Sequence, residues 1–522
     1  MTDTGMDREE SSAAETRSRP WALWIAIAAL VIGALLRLYD LGAQPLWLDE
    51  ATTHRRISYE LSFLLQNVAV NDAHPPVYYV LLHFITMPLS FLPLDWALRL
   101  PSAAAGVLTL IVVWRIERRL LPSQMIPVGT VLLAGSAFSI YYAQEARHYV
   151  FVALWLTLAL AVVLRGLEEE GPSRAMFLQY LVTAVLALYT FYYSLFFGAA
   201  HAAAVLASGR VTRDNWKRWA SMFAAPLCVF ALYTPIILAM KKRLVAAGAP
   251  MGYHVPAPEE IGRCIREMAL GFNPATEQLN GWSGLVLVLL IATPILLLAI
   301  RWKKLSPTHR AFPVLVAVPL LCLVFFPFKP HMIESKHLFA LAPLYFLAVS
   351  VCIYGDCGVC KAASLAGSRA GKFVMLIAAS VLVLNAAGLK HYFQDDFVKE
   401  RWQDAADHIE SRLQLGDLIV PAPFHLEYPL ELALEPEHHD QVNSVAELDS
   451  AVEDALQANR APTIDYLTAP TIWLVEMYDS PVSYPDYPSI RTLEHLRQRG
   501  ETVTFPGKLG TVRVTPFLKA EL

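Results

Sequence analysis

Two adjacent carboxylates, Asp49 and Glu50, follow the first long apolar run of the sequence, Trp21 to Leu38. That run is long enough to cross a bilayer, and Trp47 is a residue type typical of the membrane–water interface. Carboxylates at an interface are costly to keep charged, and they can act as general bases toward a substrate held in the membrane. The pair therefore predicts chemistry at the water face, and the alternative is an acidic loop that is only solvated.

Further polar residues interrupt the apolar sequence in three motifs: Asp72-Ala73-His74-Pro75-Pro76, Arg99-Leu100-Pro101-Ser102 and Gln144-Glu145-Ala146-Arg147. Arginine and histidine side chains can hold an anionic phosphate leaving group, and a carboxylate near an acceptor hydroxyl can act as a general base. Together these residue types predict group transfer from a phosphorylated donor. The prolines also suit the first turn of a helix, but that explanation does not cover His74.

The composition is that of a membrane protein with many spans. The chain has 522 residues, of which 55% are hydrophobic, and its mean hydropathy is +0.41. These values are too high for a soluble enzyme. The formal net charge is -4 at pH 7, and no basic run interleaved with aromatic residues occurs, so nucleic acid is not an expected partner.

The six cysteines do not form a disulfide framework, because three of them lie within apolar runs and none follows Cys360. Cys357 and Cys360 have the spacing of metal ligands, but no second pair or nearby histidine completes a tetrahedral site. Two unrelated loop thiols are therefore the preferred interpretation, and a zinc site is the alternative.

Apolar runs and basic loops together predict the topology. Eleven runs cross the bilayer if the segment 75–93 is a juxtamembrane or re-entrant helix of the first outer loop. Five Lys/Arg-rich loops then lie in the cytoplasm, as the positive-inside rule requires, and the basic residues 241–243 fall in a long outer loop that tolerates them. An odd number of spans from a cytoplasmic N-terminus places the C-terminal end of the chain outside.

Three regions follow from this topology: a disordered cytoplasmic tail at 1–20, a transmembrane domain at 21–390 and an extracytoplasmic soluble domain at 391–522. We therefore expect a multi-pass protein of the cytoplasmic membrane.

The last region is predicted to be a small α/β domain. Residues 398–415 have helical periodicity, 417–420 and 472–475 are typical of short strands, and 490–498 predict a second helix. No glycine-rich phosphate loop and no cysteine occurs there, so nothing in its sequence marks it as the reaction centre.

These motifs together resemble the GT-C membrane glycosyltransferases, in particular glycosyltransferase family 39 with its protein mannosyltransferases, and the related lipid A aminoarabinose transferases. The resemblance runs along the whole chain and rests on seven pieces: PLWLDEA at 45–51, HPPVYY at 74–79, RLPS at 99–102, YAQEARHY at 142–149, SKHLFALAPL at 335–344, RWQDAADHI at 401–409 and GDLIV at 416–420. It implies an all-α polytopic GT-C domain of about eleven transmembrane helices with juxtamembrane helices in the first outer loop. A small soluble α/β domain follows.

The resemblance implies an enzyme that takes a sugar from a polyprenyl phosphate at the outer membrane face and inverts the anomeric centre. Asp49 corresponds to the first-loop aspartate of the family, the expected general base, with Glu50 as its neighbour. The alternative for Asp49 is a cap on a helix that starts at Ala51.

Other site residues also follow from the resemblance. The residues expected to bind the donor phosphate are His74, Arg147, Lys336 and His337. The residues expected to line the substrate cavity are Tyr78, Gln144 and Glu145. Lys336 stands where relatives often have arginine, so bidentate geometry is lost. A purely structural Glu145–Arg147 pair is the alternative for those two side chains.

Some relatives bind a divalent metal through the residue before the prolines and a loop histidine. Ala73 has no ligating side chain, while His254 could supply the second ligand. No metal ligand is assigned, and a divalent metal stays an open alternative. The expected partners are a polyprenyl-phosphate sugar donor, a lipid, glycan or protein acceptor, and membrane lipids.

A transporter or flippase of polyprenyl-linked sugars is the alternative function. The apolar runs contain few charges, no repeat relates the two halves, and the acids cluster in loops, all of which favour the transferase. A third interpretation, a scaffold that presents the C-terminal domain, leaves the loop motifs unexplained.

Overall fold

The computed structural model describes residues 20–72, 74–122, 125–169, 171–246, 257–279, 281–325, 334–354, 369–394, 397–422, 424–443, 469–478, 490, 493 and 497–519. The predicted tail up to residue 19, Ala73, His254 and the Cys357/Cys360 pair lie outside these ranges.

Helices dominate the described chain. In order they are α1 Pro20–Leu38, α2 Leu48–Ile57, α3 Leu61–Asn71, α4 Val77–Thr86, α5 Leu94–Leu120, α6 Val128–Ala134, α7 Ala137–Ala143, α8 Tyr149–Glu168, α9 Arg174–Thr190, α10 Ser194–Ser208, α11 Trp216–Ala231, α12 Thr234–Ala246, α13 Pro258–Leu270, α14 Pro274–Glu277, α15 Gly281–Ile300, α16 Ala311–Phe325, α17 Leu341–Tyr354, α18 Arg369–Tyr392, α19 Trp402–Glu410 and α20 Glu427–Ala433. Short 3-10 turns at Met87–Leu89, Trp302–Lys304, Ser335–Leu338, Phe424–Leu426 and Pro436–Gln441 connect some of them.

Among the described residues, five helices are both long and apolar enough to span a bilayer: α1, α5, α8, α15 and α18. Several other apolar helices are shorter, and the apolar stretch between α5 and α8 is divided between α6 and α7. A multi-pass membrane protein is confirmed, and the count of eleven spans stays a prediction. Segment 75–93 forms α4 and a following 3-10 turn.

The chain forms two compact units. The first comprises the residues up to Tyr39, Leu65–Leu81 and Leu100–Tyr392, and the second comprises Asp40–Leu64, Leu82–Arg99 and the chain from Phe393 onward. The second unit therefore combines two segments that follow α1 with the C-terminal region.

Within the first unit, helix α17 is buried along its whole length. A helix that is apolar all round must be enclosed by other helices or by lipid, and α17 packs against α6 and α16.

Both ends of helix α6 are bound by charged side chains. Glu117 accepts hydrogen bonds from the backbone N–H groups of Gly129 and Thr130, both at 2.8 Å. At the other end of α6, the Arg37 guanidinium donates to the carbonyl of Leu133 at 3.1 Å. An anion at the N-terminus and a cation at the C-terminus satisfy the helix ends and complement the helix dipole. These buried charges are therefore structural.

The second unit contains a five-stranded mixed sheet: β1 Leu418–Ala422, β2 Thr471–Tyr478, β3 Arg497–Arg499, β4 Val503–Pro506 and β5 Thr511–Lys519. The strand order is β1-β2-β5-β3, with β4 also on β5. β1 and β2 are parallel, with Leu418 opposite Ile472, and the other pairs are antiparallel. Alternate residues of β2 enter two hydrophobic clusters, so both faces of the sheet are covered.

The C-terminal sheet and its strands at 417–420 and 472–475 are confirmed, but the flanking predictions need correction. The helix predicted at 398–415 is shorter and spans Trp402–Glu410. It begins only at Trp402 because the carbonyls of Val398 and Lys399 accept hydrogen bonds from the backbone at 508–509. The helix predicted at 490–498 is wrong at its end, where residues 497–499 pair with β5 as strand β3. Cross-strand pairing there overrides local periodicity.

Candidate functional site

Helix α2 carries both acids of the first loop in its first turn. It begins at Leu48, with Trp47 at the cap position, so the alternative that Asp49 caps a helix starting at Ala51 is wrong. Asp49 is half-buried and Glu50 is fully buried. Acids in the first turn complement the positive end of the helix dipole.

Glu50 is bound by Arg99, the arginine of the RLPS motif. The Arg99 Nε and Nη2 atoms donate to the two carboxylate oxygens at 2.8 and 2.6 Å. Its remaining N–H groups donate to the carbonyls of Leu41, Gln44 and Pro45 at 3.0, 2.8 and 3.1 Å. All five donors of this guanidinium therefore act on segment 41–50. Glu50 is committed to an ion pair, which leaves Asp49 as the better candidate for a base.

A third carboxylate, Glu400, reaches the start of helix α2. It is 2% exposed, and its Oε2 atom accepts hydrogen bonds from the backbone N–H of Leu48 at 2.8 Å and the indole of Trp402 at 2.6 Å. Burial raises the pKa of Glu400 to about 7, the two hydrogen bonds oppose this shift, and the charges of Asp49 and Glu50 add to it. Burial also lowers the pKa of His425, and Asp49 opposes that shift.

The sequence motifs did not identify Glu400 as a site residue. Glu400 immediately precedes the RWQDAADHI motif at 401–409. That position is the one feature of the sequence that could have drawn attention to it.

In the first unit, basic side chains from three separate segments form a cluster. We call His74, Arg147, His148, Lys336 and His337 the basic cluster. The rings of His74 and His148 lie 4.4 Å apart, and Phe191 stacks between histidines, with its ring 5.6 Å from that of His74 and 6.0 Å from that of His337. The motifs at 74–79, 142–149 and 335–344 thus meet in space.

His74 is oriented by the aspartate that precedes it. Its Nδ1–H donates to Oδ1 of Asp72 at 2.8 Å, and its backbone N–H donates to the same oxygen at 2.9 Å. A hydrogen bond at Nδ1 fixes the ring and favours the tautomer whose Nε2 is an acceptor; protonation turns Nε2 into a donor for an anion. Asp72 therefore orients the His74 ring within the basic cluster.

His148 lies at the centre of the basic cluster, and the sequence motifs did not single it out. It is 1% exposed, and neither ring nitrogen has a hydrogen-bond partner among the described residues. Burial lowers the pKa of His148 well below its usual range, and four neighbouring basic groups lower it further: His74, Arg147, His337 and Lys336. Each of these four groups is therefore within electrostatic range of His148.

Lys336 and His337 lie within the 3-10 turn Ser335–Leu338, and both contact Glu334. The Lys336 ammonium pairs with the Glu334 carboxylate at 2.6 Å, and Nδ1 of His337 accepts from the backbone N–H of Glu334 at 3.3 Å. A small cavity opens beside them, lined in part by Tyr149, Phe191, Tyr193, Lys336 and His337. A phosphate bound here would compete with Glu334 for the lysine.

The motif Gln144-Glu145-Ala146-Arg147 is buried, and its side chains differ in role. The amide nitrogen of Gln144 donates to the carbonyl of Tyr39 at 2.6 Å and so caps helix α1. Glu145 is 1% exposed. The Arg147 guanidinium carbon lies 6.0 Å from the ring centroid of Tyr149. Tyr78 is buried with its ring 6.0 Å from that of His148, so it borders the basic cluster.

The predicted site residues thus form two sets. Asp49 and Glu50 belong to the second unit, whereas the basic cluster, Tyr78, Gln144 and Glu145 belong to the first.

The metal-binding alternative gains no ligand set from the described ranges. No group of three or more His, Cys, Asp or Glu side chains within them is arranged to hold a metal ion. Position 73 is an alanine, which has no ligating atom in its side chain. The described residues and the alanine at position 73 therefore do not supply the ligands of the family's metal site.

Comparison with known proteins agrees with the sequence resemblance. The family model described as dolichyl-phosphate-mannose-protein mannosyltransferase matches residues 73–237. No curated protein is similar enough in sequence to match the chain.

Solved structures match over nearly the whole length. ArnT from Cupriavidus metallidurans bound to undecaprenyl phosphate is 14% identical, with 95% of this chain and 98% of that chain covered and a TM-score of 0.54. The apo state of the same protein is 13% identical with the same TM-score of 0.54, over 95% of this chain and 97% of that one. The oligosaccharyltransferase AglB from Archaeoglobus fulgidus, in complex with an inhibitory peptide and a dolichol-phosphate, is 12% identical with a TM-score of 0.47, over 87% of this chain and 69% of that one. The AglB score supports no conclusion, whereas the ArnT match shows a shared fold. The resemblance to the GT-C membrane glycosyltransferases is confirmed.

Proposed function

We propose that this protein is a glycosyltransferase that moves a sugar from a polyprenyl-phosphate donor to an acceptor at the outer face of the cytoplasmic membrane. The observation that carries the proposal is the basic cluster, in which separate segments of a GT-C fold bring positive and imidazole groups around His148. An anionic phosphate is the ligand that such a set of donors suits. Undecaprenyl phosphate in the similar ArnT structure supports the same class of donor.

In the proposed reaction, the acceptor's hydroxyl or amine attacks the anomeric carbon while the bond from that carbon to the phosphate oxygen breaks. The polyprenyl phosphate leaves with the electron pair, and Arg147, Lys336 and His74 stabilise its charge. The acceptor's proton goes to Asp49. Attack opposite the leaving group inverts the anomeric centre. Glu50 is a poor base because both of its oxygens accept hydrogen bonds from Arg99.

A panel of labelled polyprenyl-phosphate sugars tests the function. Purified protein in membranes is incubated with each donor, and the lipid, glycan and protein fractions are extracted. Label in one acceptor fraction, with release of unlabelled polyprenyl phosphate, is the expected result. If labelled lipid instead moves across vesicle membranes unchanged and no acceptor is labelled, the protein is a transporter.

Arg147→Ala should weaken binding of bare polyprenyl phosphate by about tenfold or more, because a hydrogen bond to a charged group contributes about 1.5–3 kcal/mol. A titration of the phosphate lipid into the purified variant measures this. Arg119→Ala is the matched control, since Arg119 forms an exposed ion pair with Glu168. Binding equal to the parent would favour the structural Glu145–Arg147 pair and remove Arg147 from the site.

The C-terminal domain is proposed to lie outside the cytoplasmic membrane. Alkaline phosphatase fused after Leu522 should be active, and a reporter that fluoresces only in the cytoplasm should be dark. The reverse pattern would make 75–93 a true span and place Gln144–Arg147 on the cytoplasmic side.

A further inference from the structure

We propose that Glu400 is a positioning residue for the transfer reaction, because its carboxylate fixes the first turn of the helix that carries Asp49. The C-terminal region thereby contributes to catalysis through Asp49. This inference rests on the proposed function, in which Asp49 is the base.

Helix α2 begins without a side-chain cap from its own N-cap residue. The first N–H groups of a helix have no partner within it. A side-chain acceptor at the cap position normally supplies one, but the indole of Trp47 has no acceptor to offer. Glu400, which is 352 residues away in sequence, accepts from the N–H of Leu48 at 2.8 Å instead. The cap of this helix therefore comes from the C-terminal region.

The hydrogen bond from Leu48 to Glu400 is one of several contacts between residues 44–48 and residues 397–400. The Gln44 amide donates to the carbonyl of Phe397, and the Lys399 ammonium lies 5.8 Å from the ring centroid of Trp47. Residues 397–400 therefore lie along residues 44–48, the stretch that leads directly into Asp49.

The other end of helix α2 is held by the same region of the chain. Arg55 lies 3.5 Å from the Glu431 carboxylate, and its guanidinium carbon is 5.3 Å from the ring centroid of Tyr428. Both ends of the helix thus contact residues that follow position 393, so the C-terminal region helps to orient it.

Glu400 also links helix α2 to helix α19. The indole of Trp402 donates to the same Glu400 oxygen at 2.6 Å, so this single atom joins Leu48 to the start of helix α19. Helix α19 packs into the core beneath the sheet through Trp402, Ala405 and Ile409. A buried acceptor with two partners is rigid, and rigidity of the supporting residues is what keeps a general base in reacting geometry.

The experiment compares three variants of the full-length protein in the transfer assay. Glu400→Ala removes the cap and is expected to lower kcat by about tenfold or more while the KM for the donor lipid stays within about twofold, because a misplaced base slows chemistry without removing a donor contact. Glu400→Gln keeps an oxygen that can accept both hydrogen bonds, so it should recover most of the lost kcat.

The matched control is Glu410→Ala. The Glu410 carboxylate accepts a hydrogen bond from the backbone N–H of Glu435 at 2.6 Å, so its loss removes the same type of contact elsewhere in the same unit. Its kcat should stay at the parent value. The proposal is overturned if Glu400→Ala has the parent kcat, if Glu400→Gln is as slow as Glu400→Ala, or if Glu410→Ala causes the same loss.

Hydrogen–deuterium exchange separates this inference from the proposed function. Amides at the start of helix α2 should exchange faster in Glu400→Ala than in the parent, and Glu410→Ala should match the parent. This readout needs no substrate. If the parent transfers no sugar but exchange responds as expected, the proposed function fails and the contact from Glu400 to the Asp49 helix stands. If the parent is active and neither exchange nor kcat responds to Glu400→Ala, the positioning role is wrong and the function stands.

Discussion

Asp49→Asn is expected to reduce sugar transfer to background. The amide keeps the shape of the side chain but cannot take the acceptor's proton, and loss of a general base typically costs about 10²–10⁴ in rate. Helix α2 begins at Leu48 and is capped from outside, so the substitution leaves the start of the helix satisfied. Initial rates with a labelled donor measure the effect.

Two controls distinguish loss of chemistry from loss of structure. Asp404→Asn makes the same chemical change at an exposed carboxylate that pairs with Arg401 at 2.7 Å, and its transfer rate should equal that of the parent. Binding of the bare phosphate lipid should be unchanged in Asp49→Asn. A variant that keeps half of the parent rate would show that another group takes the proton.

Glu50→Ala is expected to destabilise the second unit severely. Arg99 and Glu50 are 1% and 0% exposed, and removing one partner of a buried ion pair costs about 3–5 kcal/mol because the other charge is left unpaired. Thermal unfolding in detergent should show a large fall in the midpoint, together with lost activity.

Glu431→Ala is the matched control, because Glu431 pairs with Arg55 of the same helix at 3.5 Å but is partly exposed. Partly exposed pairs contribute only about 0–1 kcal/mol, so this variant should unfold near the parent temperature. If both variants unfold at the same temperature, the Glu50–Arg99 pair does not hold the loop and Glu50 returns to the list of candidate bases.

Local pattern and motif determined much of this protein from its sequence. Apolar runs of sufficient length predicted a polytopic helical domain, because a bilayer-spanning helix is formed by one run of consecutive apolar residues. Short apolar runs within 417–420 and 472–475 predicted the strands that became β1 and β2. The runs are continuous because both faces of this sheet are buried. Seven short motifs, including those around Asp49 and His74, supplied the resemblance to the GT-C enzymes. Each can be read from the sequence because its residues are consecutive.

Tertiary structure decided which of those residues serve the fold. Glu50 and Asp49 are adjacent and chemically alike, yet one is bound by Arg99, 49 residues away, and the other is not held in that pair. Glu400 and Leu48 are 352 residues apart. Residues 497–499 pair with β5 despite their helical periodicity. Such partners are brought together only by folding, and no spacing along the chain encodes them, because the free energy of a buried charge depends on what surrounds it in space.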